Sequence, residues 1–222
     1  MGEAPYDAIA DWYHREFRPR VTADEQRALD RLLGPGSGPC LDLGCGTGVA
    51  SELARALGWS VVGVDVSDQL AAVALEKGFE VVSAPAESLP FDDESFDAVI
   101  SVWTHTDIAD FSAAAREVAR VLRPEAPFVY IGGHPCFVGP HSLFLGAEGV
   151  PQFHAGYRPS RAYDASAPGV GDPQGLRARV GSLHLTLEDF LGGFVAADLR
   201  IDAFEELTDR DYPYLVALRA RR

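Results

Sequence analysis

A glycine-rich turn between two apolar strands constrains this chain more than any other feature of its sequence. Residues 40–48 read Cys-Leu-Asp-Leu-Gly-Cys-Gly-Thr-Gly, and Asp65 ends the next apolar run, seventeen positions after Gly48. Glycines at alternate positions let the backbone approach a ligand where a Cβ would clash. A carboxylate that closes the second strand can accept hydrogen bonds from both hydroxyls of a ribose. Together these features predict a site for a molecule that contains adenosine.

The spacing of the glycines distinguishes between two kinds of adenosine cofactor. A dinucleotide fingerprint requires Gly-x-Gly-x-x-Gly, whose last glycine allows the helix to pack closely on the strand. Here Gly44 and Gly46 are followed by Gly48, and Val49 occupies the third position of that pattern. Residues 44–48 after Leu-Asp-Leu instead resemble motif I of the class I S-adenosylmethionine-dependent methyltransferases.

The resemblance continues beyond the glycine turn. Residues 88–100 resemble the approach to the fourth strand in the UbiE-like, small-molecule branch of these enzymes, and residues 116–124 resemble the helix and turn that follow it. This resemblance extends over about residues 6–132, and a generic form of it over 183–220. It implies S-adenosyl-L-methionine as the cofactor and S-adenosyl-L-homocysteine as the product.

The alternation of apolar strands and helices predicts an α/β fold. We expect a Rossmann-like, doubly wound, mostly parallel sheet of seven strands whose last strand is antiparallel, with helices on both faces. A length of 222 residues fits a single domain. The predicted parts are N-terminal cap helices in 1–38, a cofactor-binding core in 39–133, a substrate or lid insert in 134–180, and a C-terminal helix with strands in 181–222. The predicted strands are 39–43, 60–65, 79–82, 96–102, 127–132, 199–205 and 213–219, and the predicted helices are 6–17, 24–33, 48–57, 68–77, 110–122 and one capped by Thr186.

The insert shows no sustained period. Residues 134–180 are rich in glycine, proline and aromatic residues and hold three of the six histidines. A loop of this length inside a compact domain is usually a lid, a binding segment or a disordered segment. Residues 168–175 in particular have the composition of a mobile loop.

Composition limits the partners that we expect. The formal charge is −14 and Lys77 is the only lysine, which argues against binding nucleic acid or a membrane surface. The acidity indicates either solubility or an attraction for cationic substrates. No apolar run approaches ~20 residues, so we expect no membrane span. Three cysteines and no secretory segment indicate a cytoplasmic protein.

The resemblance assigns the parts of the cofactor to residues of this chain. The methionine end would lie over the glycine turn, at a helix N-terminus whose amides suit a carboxylate, with Asp42 near the ammonium group. Asp65 would bind the ribose hydroxyls or cap the helix after Ser67, and Val66 would lie along the adenine. The predicted cofactor contacts are Tyr13, Asp42, Gly44, Cys45, Gly46, Gly48, Asp65, Val66, Ala86, Glu87 and Ser101.

One position departs from the family pattern. Relatives often carry Gly-Asp-Ala-Glu before Leu-Pro-Phe, and that aspartate is a common partner of the adenine amino group. In this chain Pro85 occupies the position, and proline offers neither a side-chain acceptor nor an N–H donor. Adenine recognition is then expected to depend on the Ala86 backbone, on Glu87 or on Ser83.

Methyl transfer is an in-line displacement at a positively charged sulfur, so alignment and exclusion of water dominate the catalytic requirement. An acceptor that is protonated at neutral pH also needs a general base, and histidine is the natural choice. His105 and His134 follow the fourth and fifth strands, at the edge where ligands of open α/β sheets bind. Both are candidate bases, and the alternative for His105 is an ordinary loop histidine. The predicted acceptor contacts are Trp103, Phe137, His141 and His154.

No metal site is predicted, because the spacing of the insert histidines fits no compact ligand pair. The predicted function is methyl transfer to an O or N atom of a small molecule. Abundant arginine, alanine, glycine and proline suggest a high-GC bacterium, hence natural-product (antibiotic) biosynthesis. The alternatives are a non-methylating reaction on the same fold, such as cyclisation, and a catalytically silent cofactor-binding protein. We expect a monomer or homodimer.

Overall fold

The computed structural model of the protein describes residues 4–17, 21–145, 150–208 and 211–222. The seven predicted strands begin and end close to their predicted bounds, because each follows a clear apolar run. In chain order the strands of the structure are β1 (Pro39–Leu43), β2 (Ser60–Asp65), β3 (Glu80–Ser83), β4 (Ala98–Val102), β5 (Pro127–Gly133), β6 (Ser142–Leu145), β7 (Val150–Phe153), β8 (Arg161–Tyr163), β9 (Ser182–His184), β10 (Arg200–Leu207) and β11 (Leu215–Arg221).

Polar side chains fix where several helices begin. Thr22 forms a capping box with Glu25, and Ser67, Asp110 and the predicted Thr186 each accept a hydrogen bond from the first turn of the helix that follows. The α-helices are α1 (Ala10–Trp12), α2 (Ala23–Leu32), α3 (Val49–Ala56), α4 (Asp68–Glu76), α5 (Phe111–Val121), α6 (Leu176–Val180) and α7 (Leu187–Ala196). Short 3-10 turns span Asp7–Ile9 and Pro168–Val170, and a π-helical turn spans Tyr13–Phe17.

Seven strands form one sheet in the order β10-β11-β5-β4-β1-β2-β3. The strands from β5 to β3 pair in parallel, and β11 pairs antiparallel with both β5 and β10. This topology confirms the predicted mostly parallel sheet with an antiparallel last strand. It also brings the carboxyl ends of β1, β2, β4 and β5 to one edge.

Successive residues of β5 show that both faces of the sheet are covered. Phe128 and Tyr130 belong to a buried cluster with residues of α5 and α7, whereas Val129 and Ile131 belong to another with residues of α2 and α3. Because neighbouring side chains of a strand point to opposite faces, the two clusters lie on opposite sides of the sheet. The predicted helical layers are therefore present.

Two segments differ from their predicted form. The helix predicted over 6–17 is a succession of three short turns, and its predicted end at Pro19 lies outside the described residues. In the insert, β6 pairs with β7 and β8 with β9 as small antiparallel sheets. Strands of three or four residues are too short to produce a recognisable hydrophobic period. Along the described ranges no helix has both the length and the hydropathy needed to cross a bilayer.

The first part of the glycine-rich stretch 168–175 is packed. A Cβ on Gly169 would lie 1.6 Å from the carbonyl oxygen of Gly139, so the turn at Pro168–Val170 fits closely against the start of β6. Gly169 allows this close backbone contact, whereas residues 171–174 are exposed, and the mobility predicted for 168–175 stays a prediction.

Candidate active site

Two cavities adjoin each other where β1, β2 and β4 end. The smaller has a volume of about 150 Å³ and the larger about 560 Å³. The residues that line both cavities are Tyr6, Tyr13, Gly44, Gly46, Val102 and Trp103. This edge is where parallel α/β sheets bind ligands, so the cavities are the candidate site.

The glycine turn follows β1 and separates the two cavities. Gly44, Gly46 and Gly48 have φ values of +72°, +50° and +76°, a region that other residues rarely adopt. The N–H of Gly44 donates to the Val64 carbonyl at 2.8 Å, which fixes the turn on β2. Gly44 and Gly46 line both cavities, as predicted for cofactor contacts. Gly48 lines neither; it begins α3, where a Cβ would lie 3.2 Å from Ala74.

Asp65 joins the glycine turn to the start of α4. Its Oδ2 accepts the N–H of Gly46 and its Oδ1 accepts the N–H of Ser67, both at 2.8 Å. Burial raises the pKa of Asp65. The carboxylate lines the smaller cavity, and each oxygen has acceptor capacity left for a hydroxyl. Ser67 itself is the N-cap of α4, so Asp65 orders the turn before the helix and remains available to a ligand.

The far side of the smaller cavity is mostly apolar. Val66 and Ala86 line it, as predicted for an adenine site, and so does Glu87. The Oε1 of Glu87 accepts the N–H of Asp110 at 3.0 Å, which ties this carboxylate to the start of α5. Ser83, the third alternative for adenine recognition, does not line either cavity.

Asp42 lies inside the sheet beneath the larger cavity. Ser51 donates to its Oδ2 at 2.5 Å, and burial raises the pKa of Asp42 to about 7. Cys45 also lines this cavity, and burial raises its pKa. Ser101 lines neither cavity: its hydroxyl is buried and donates to the Leu43 carbonyl at 3.3 Å. Asp42 and Cys45 thus line the cavity, and Ser101 links β4 to β1.

Two chain segments cover the cavities and meet at Asp107. The hydroxyl of Tyr6 donates to Asp107 at 3.2 Å, and Arg177 of α6 donates to both Asp107 oxygens at 2.7 and 3.2 Å. We call Tyr6, Asp107 and Arg177 the Asp107 latch. Asp7 adds a contact at 2.6 Å from the Ser67 hydroxyl, which fixes the N-terminal segment to α4. The sequence offered no signal for Arg177, which lies 70 residues from its partner.

Tyr13, predicted to contact the cofactor, lines both cavities. Burial raises its pKa to about 12, so its hydroxyl is protonated at neutral pH and can donate to a ligand. Trp103, predicted to contact the acceptor, also lines both cavities. Its backbone has a φ of +62°, and its indole N–H donates to Oε1 of Glu25. The indole therefore forms a fixed wall where the two cavities join.

His105 is in the core and not at the cavities, which argues against its predicted role as a base. Its Nδ1 hydrogen-bonds the Tyr130 hydroxyl, and its ring packs on Phe190 of α7 with centroids 5.6 Å apart. Burial lowers its pKa to about 3. The position of His105 just after β4 does not reveal that its side chain is buried, because residues on β5 and α7 determine the direction of that side chain.

His134 is also engaged away from both cavities. Its Nδ1 accepts the N–H of Cys136 at 3.1 Å, and its Nε2 lies 3.1 Å from Oε1 of Glu206. Burial lowers the pKa of His134. Both ring nitrogens thus have protein partners, and the structure does not support His134 as a base.

The remaining predicted acceptor contacts lie in the insert, away from the two cavities. Phe137 packs on the His134 ring at 4.7 Å, and His154 is exposed. His141 is buried, and its Nε2 donates to the Cys136 carbonyl at 2.9 Å. Phe137 also packs on Tyr212, and His141 on His184. None of the three predicted residues lines either cavity, so the cavities do not support the predicted contacts with an acceptor.

Comparisons with known proteins agree with this geometry. Residues 41–130 match the family described as methyltransferase domain. A demethylmenaquinone methyltransferase from Mycobacterium marinum is 43% identical over 93 residues, which are 41% of this chain and 39% of that protein. The chain spans about half or less of the length of the curated relatives it matches.

Solved structures match over nearly the whole chain. An S-adenosylmethionine-dependent methyltransferase from Mesorhizobium loti has a TM-score of 0.73 at 23% identity, covering 90% of this chain and 98% of that one. The [4+2]-cyclase SpnF has a TM-score of 0.65 at 18% identity, covering 98% and 93%. These likenesses concern the fold. The family match over residues 41–130 agrees with the predicted resemblance to S-adenosylmethionine-dependent methyltransferases and with the predicted cofactor.

Asp42 gives this site a testable pH dependence. We expect S-adenosylhomocysteine to bind about tenfold more tightly at about pH 8 than at about pH 6, because the resemblance places the ligand's ammonium group near Asp42, which attracts it only when ionised. The pKa of Asp42 near 7 in the free protein means that the carboxyl is largely protonated at the lower pH. Titration calorimetry in buffers of different ionisation enthalpy should show proton release at neutral pH.

The variant Asp42→Asn should bind more weakly at high pH and lose the pH dependence. The same raised pKa affects stability in the opposite direction: the contribution of protonated Asp42 is present at low pH and is lost as the pH rises through 7. An unchanged slope of affinity against pH in Asp42→Asn would show that another group titrates.

Proposed function

We propose that this protein transfers a methyl group from S-adenosylmethionine to an O or N atom of a small molecule. The observation that carries the proposal is the pair of adjoining cavities. Asp65 lies in one and Asp42 in the other, and both cavities share the glycine turn and Trp103. A cofactor held at both carboxylates would place its reactive centre at this junction, facing the rest of the larger cavity.

The residues present fit this cofactor. Glycines at 44 and 46 leave a cradle for a ligand next to backbone amides, and Asp65 retains acceptor capacity for a ribose. When bound, the cofactor supplies an electrophilic methyl group on a sulfonium. The chain's own contribution is to orient both ligands and exclude water, which Tyr6 and Tyr13 do as the cover over the junction.

Neither predicted histidine base lies at the junction, which favours catalysis mainly by proximity and orientation. The proposal includes a bacterial source and a natural-product acceptor, which the amino-acid composition supports. We also propose that the protein is cytoplasmic and acts as a monomer or homodimer.

The proposal is tested by calorimetry and by product analysis. We expect one S-adenosylhomocysteine to bind per chain and, with a competent acceptor, one S-adenosylhomocysteine to form for each methylated product. A rearranged product without S-adenosylhomocysteine would favour a cyclase-type reaction instead. Cofactor binding without turnover across a broad acceptor panel would favour a silent binding protein.

A further inference from the structure

We propose that the larger cavity recognises an acceptor that carries an ammonium group, and that Glu25 is its counter-ion. The proposal rests on the proposed function, since the acceptor must share this cavity with the cofactor. It concerns recognition, and it is independent of which O or N atom receives the methyl group.

Glu25 is a buried carboxylate that lines the larger cavity. Its residue is 1% exposed. Oε2 accepts the N–H of Thr22 at 2.7 Å in the capping box of α2, and Oε1 accepts the indole N–H of Trp103. These two hydrogen bonds fix the carboxylate in one orientation, and each oxygen keeps acceptor capacity for another donor.

Among the described residues, this carboxylate has no cationic partner. Across the ranges that the structure describes, none of the ion pairs includes Glu25. Arg177 lines the same cavity, but its guanidinium is paired with Asp107 in the Asp107 latch. A buried carboxylate is costly unless a positive group lies against it. A cationic ligand is the partner that the cavity lacks.

The other charged residues of the larger cavity also favour a cationic ligand. Asp42 and the exposed Asp172 also line it, so among the described lining residues three carboxyl groups accompany one guanidinium. Asp42 lies beside the glycine turn and is assigned to the cofactor. Glu25, which is hydrogen-bonded to Trp103, remains for the acceptor.

Aromatic rings line the cavity near this carboxylate. Trp103 and Tyr214 have ring centroids 6.0 Å apart, and Tyr13 stacks on Phe17 at 5.2 Å. All four residues line the larger cavity. Aromatic faces attract cations electrostatically, and together with a desolvated carboxylate they form a site suited to an organic ammonium ion. A phosphate, a carboxylate or a purely neutral ligand would leave Glu25 unpaired.

The test compares amines with alcohols of the same shape. Wild-type protein saturated with S-adenosylhomocysteine is titrated at neutral pH with benzylamine and benzyl alcohol, with 2-phenylethylamine and 2-phenylethanol, and with tryptamine and tryptophol. We expect the amine to bind about tenfold or more tightly than its alcohol in at least one pair. If no amine binds more tightly than its alcohol, including the case in which none binds, the proposal is overturned.

Two variants locate the effect. Glu25→Gln keeps the side-chain shape and one of the two acceptors, so its amide oxygen can take the Thr22 N–H while its NH2 faces the indole N–H of Trp103. It should abolish the preference for the amine over the alcohol within each pair. Asp24→Asn makes the same charge change one residue earlier on α2, outside the cavity, where Asp24 pairs with Arg27. An equal loss in both variants would overturn the role of Glu25.

Control measurements separate this inference from the proposed function. Melting curves and S-adenosylhomocysteine affinity show whether Glu25→Gln is folded, and the wild-type comparison stands without any variant. If S-adenosylhomocysteine does not bind, the proposed function fails. If it binds and the amine preference is missing, only the ammonium site is wrong.

Discussion

Replacing Asp65 with alanine is expected to weaken S-adenosylhomocysteine binding by about 1–3 kcal/mol, or about 5- to 150-fold. The carboxylate is the predicted acceptor for the ribose hydroxyls, and without it those hydroxyls lose their partner. The same change also removes the acceptor of the Gly46 and Ser67 amides, so the wall of the smaller cavity loses two internal hydrogen bonds. Calorimetry measures the affinity directly.

Ser67→Ala is the matched control for this prediction. It removes the N-cap of α4 and the hydroxyl that binds Asp7, but it leaves the Asp65 carboxylate in place. We expect a loss of about 0.5–2 kcal/mol in the free energy of unfolding and a much smaller change in affinity. Unchanged affinity in Asp65→Ala would rule out the ribose assignment.

Gly44→Ala should cost about 2–4 kcal/mol in the free energy of unfolding, measured by urea denaturation. One part is the φ of +72°, which places a Cβ against the following carbonyl. The other is a direct clash, because the new Cβ would lie 2.4 Å from Cγ2 of Thr104. Thr104 cannot turn away freely, since its hydroxyl is hydrogen-bonded to Ser101 beneath the turn.

Gly46→Ala separates the two parts of this cost. Gly46 also has a positive φ, but its nearest neighbour to a new Cβ is Leu70 at 4.0 Å. We therefore expect a smaller loss, about 1–2 kcal/mol, from backbone strain alone. Equal losses in the two variants would show that the clash with Thr104 does not lower the free energy of unfolding.

The fold was predictable because its signals are local. β1, the glycine turn, α3 and β2 follow one another as an apolar run, a cluster of glycines, a helical period and a second apolar run. Thr186 and the acids that follow it show where α7 begins, and the structure confirms this cap. Each of these features depends on neighbours within about four residues, which is the range over which capping and helix periodicity act.

The parts of the site that the sequence missed depend on distant partners. Tyr130 on β5 and Phe190 on α7 hold His105 in the core, and neither is near it in sequence. Glu25 carries a local signal, since Thr22 and Glu25 match a capping box, but that signal indicates only the start of a helix. Its place in the cavity follows from the position of Trp103, 78 residues further on.

The Asp107 latch has a kinetic consequence. Tyr6 belongs to both cavities, and the N-terminal segment and the insert are held over them through one carboxylate. Escape of the spent nucleoside and arrival of the next acceptor are therefore expected to require the same opening event. A tightly bound acceptor analogue should then slow the dissociation of S-adenosylhomocysteine without contacting it, and the rate of this one opening step would limit turnover.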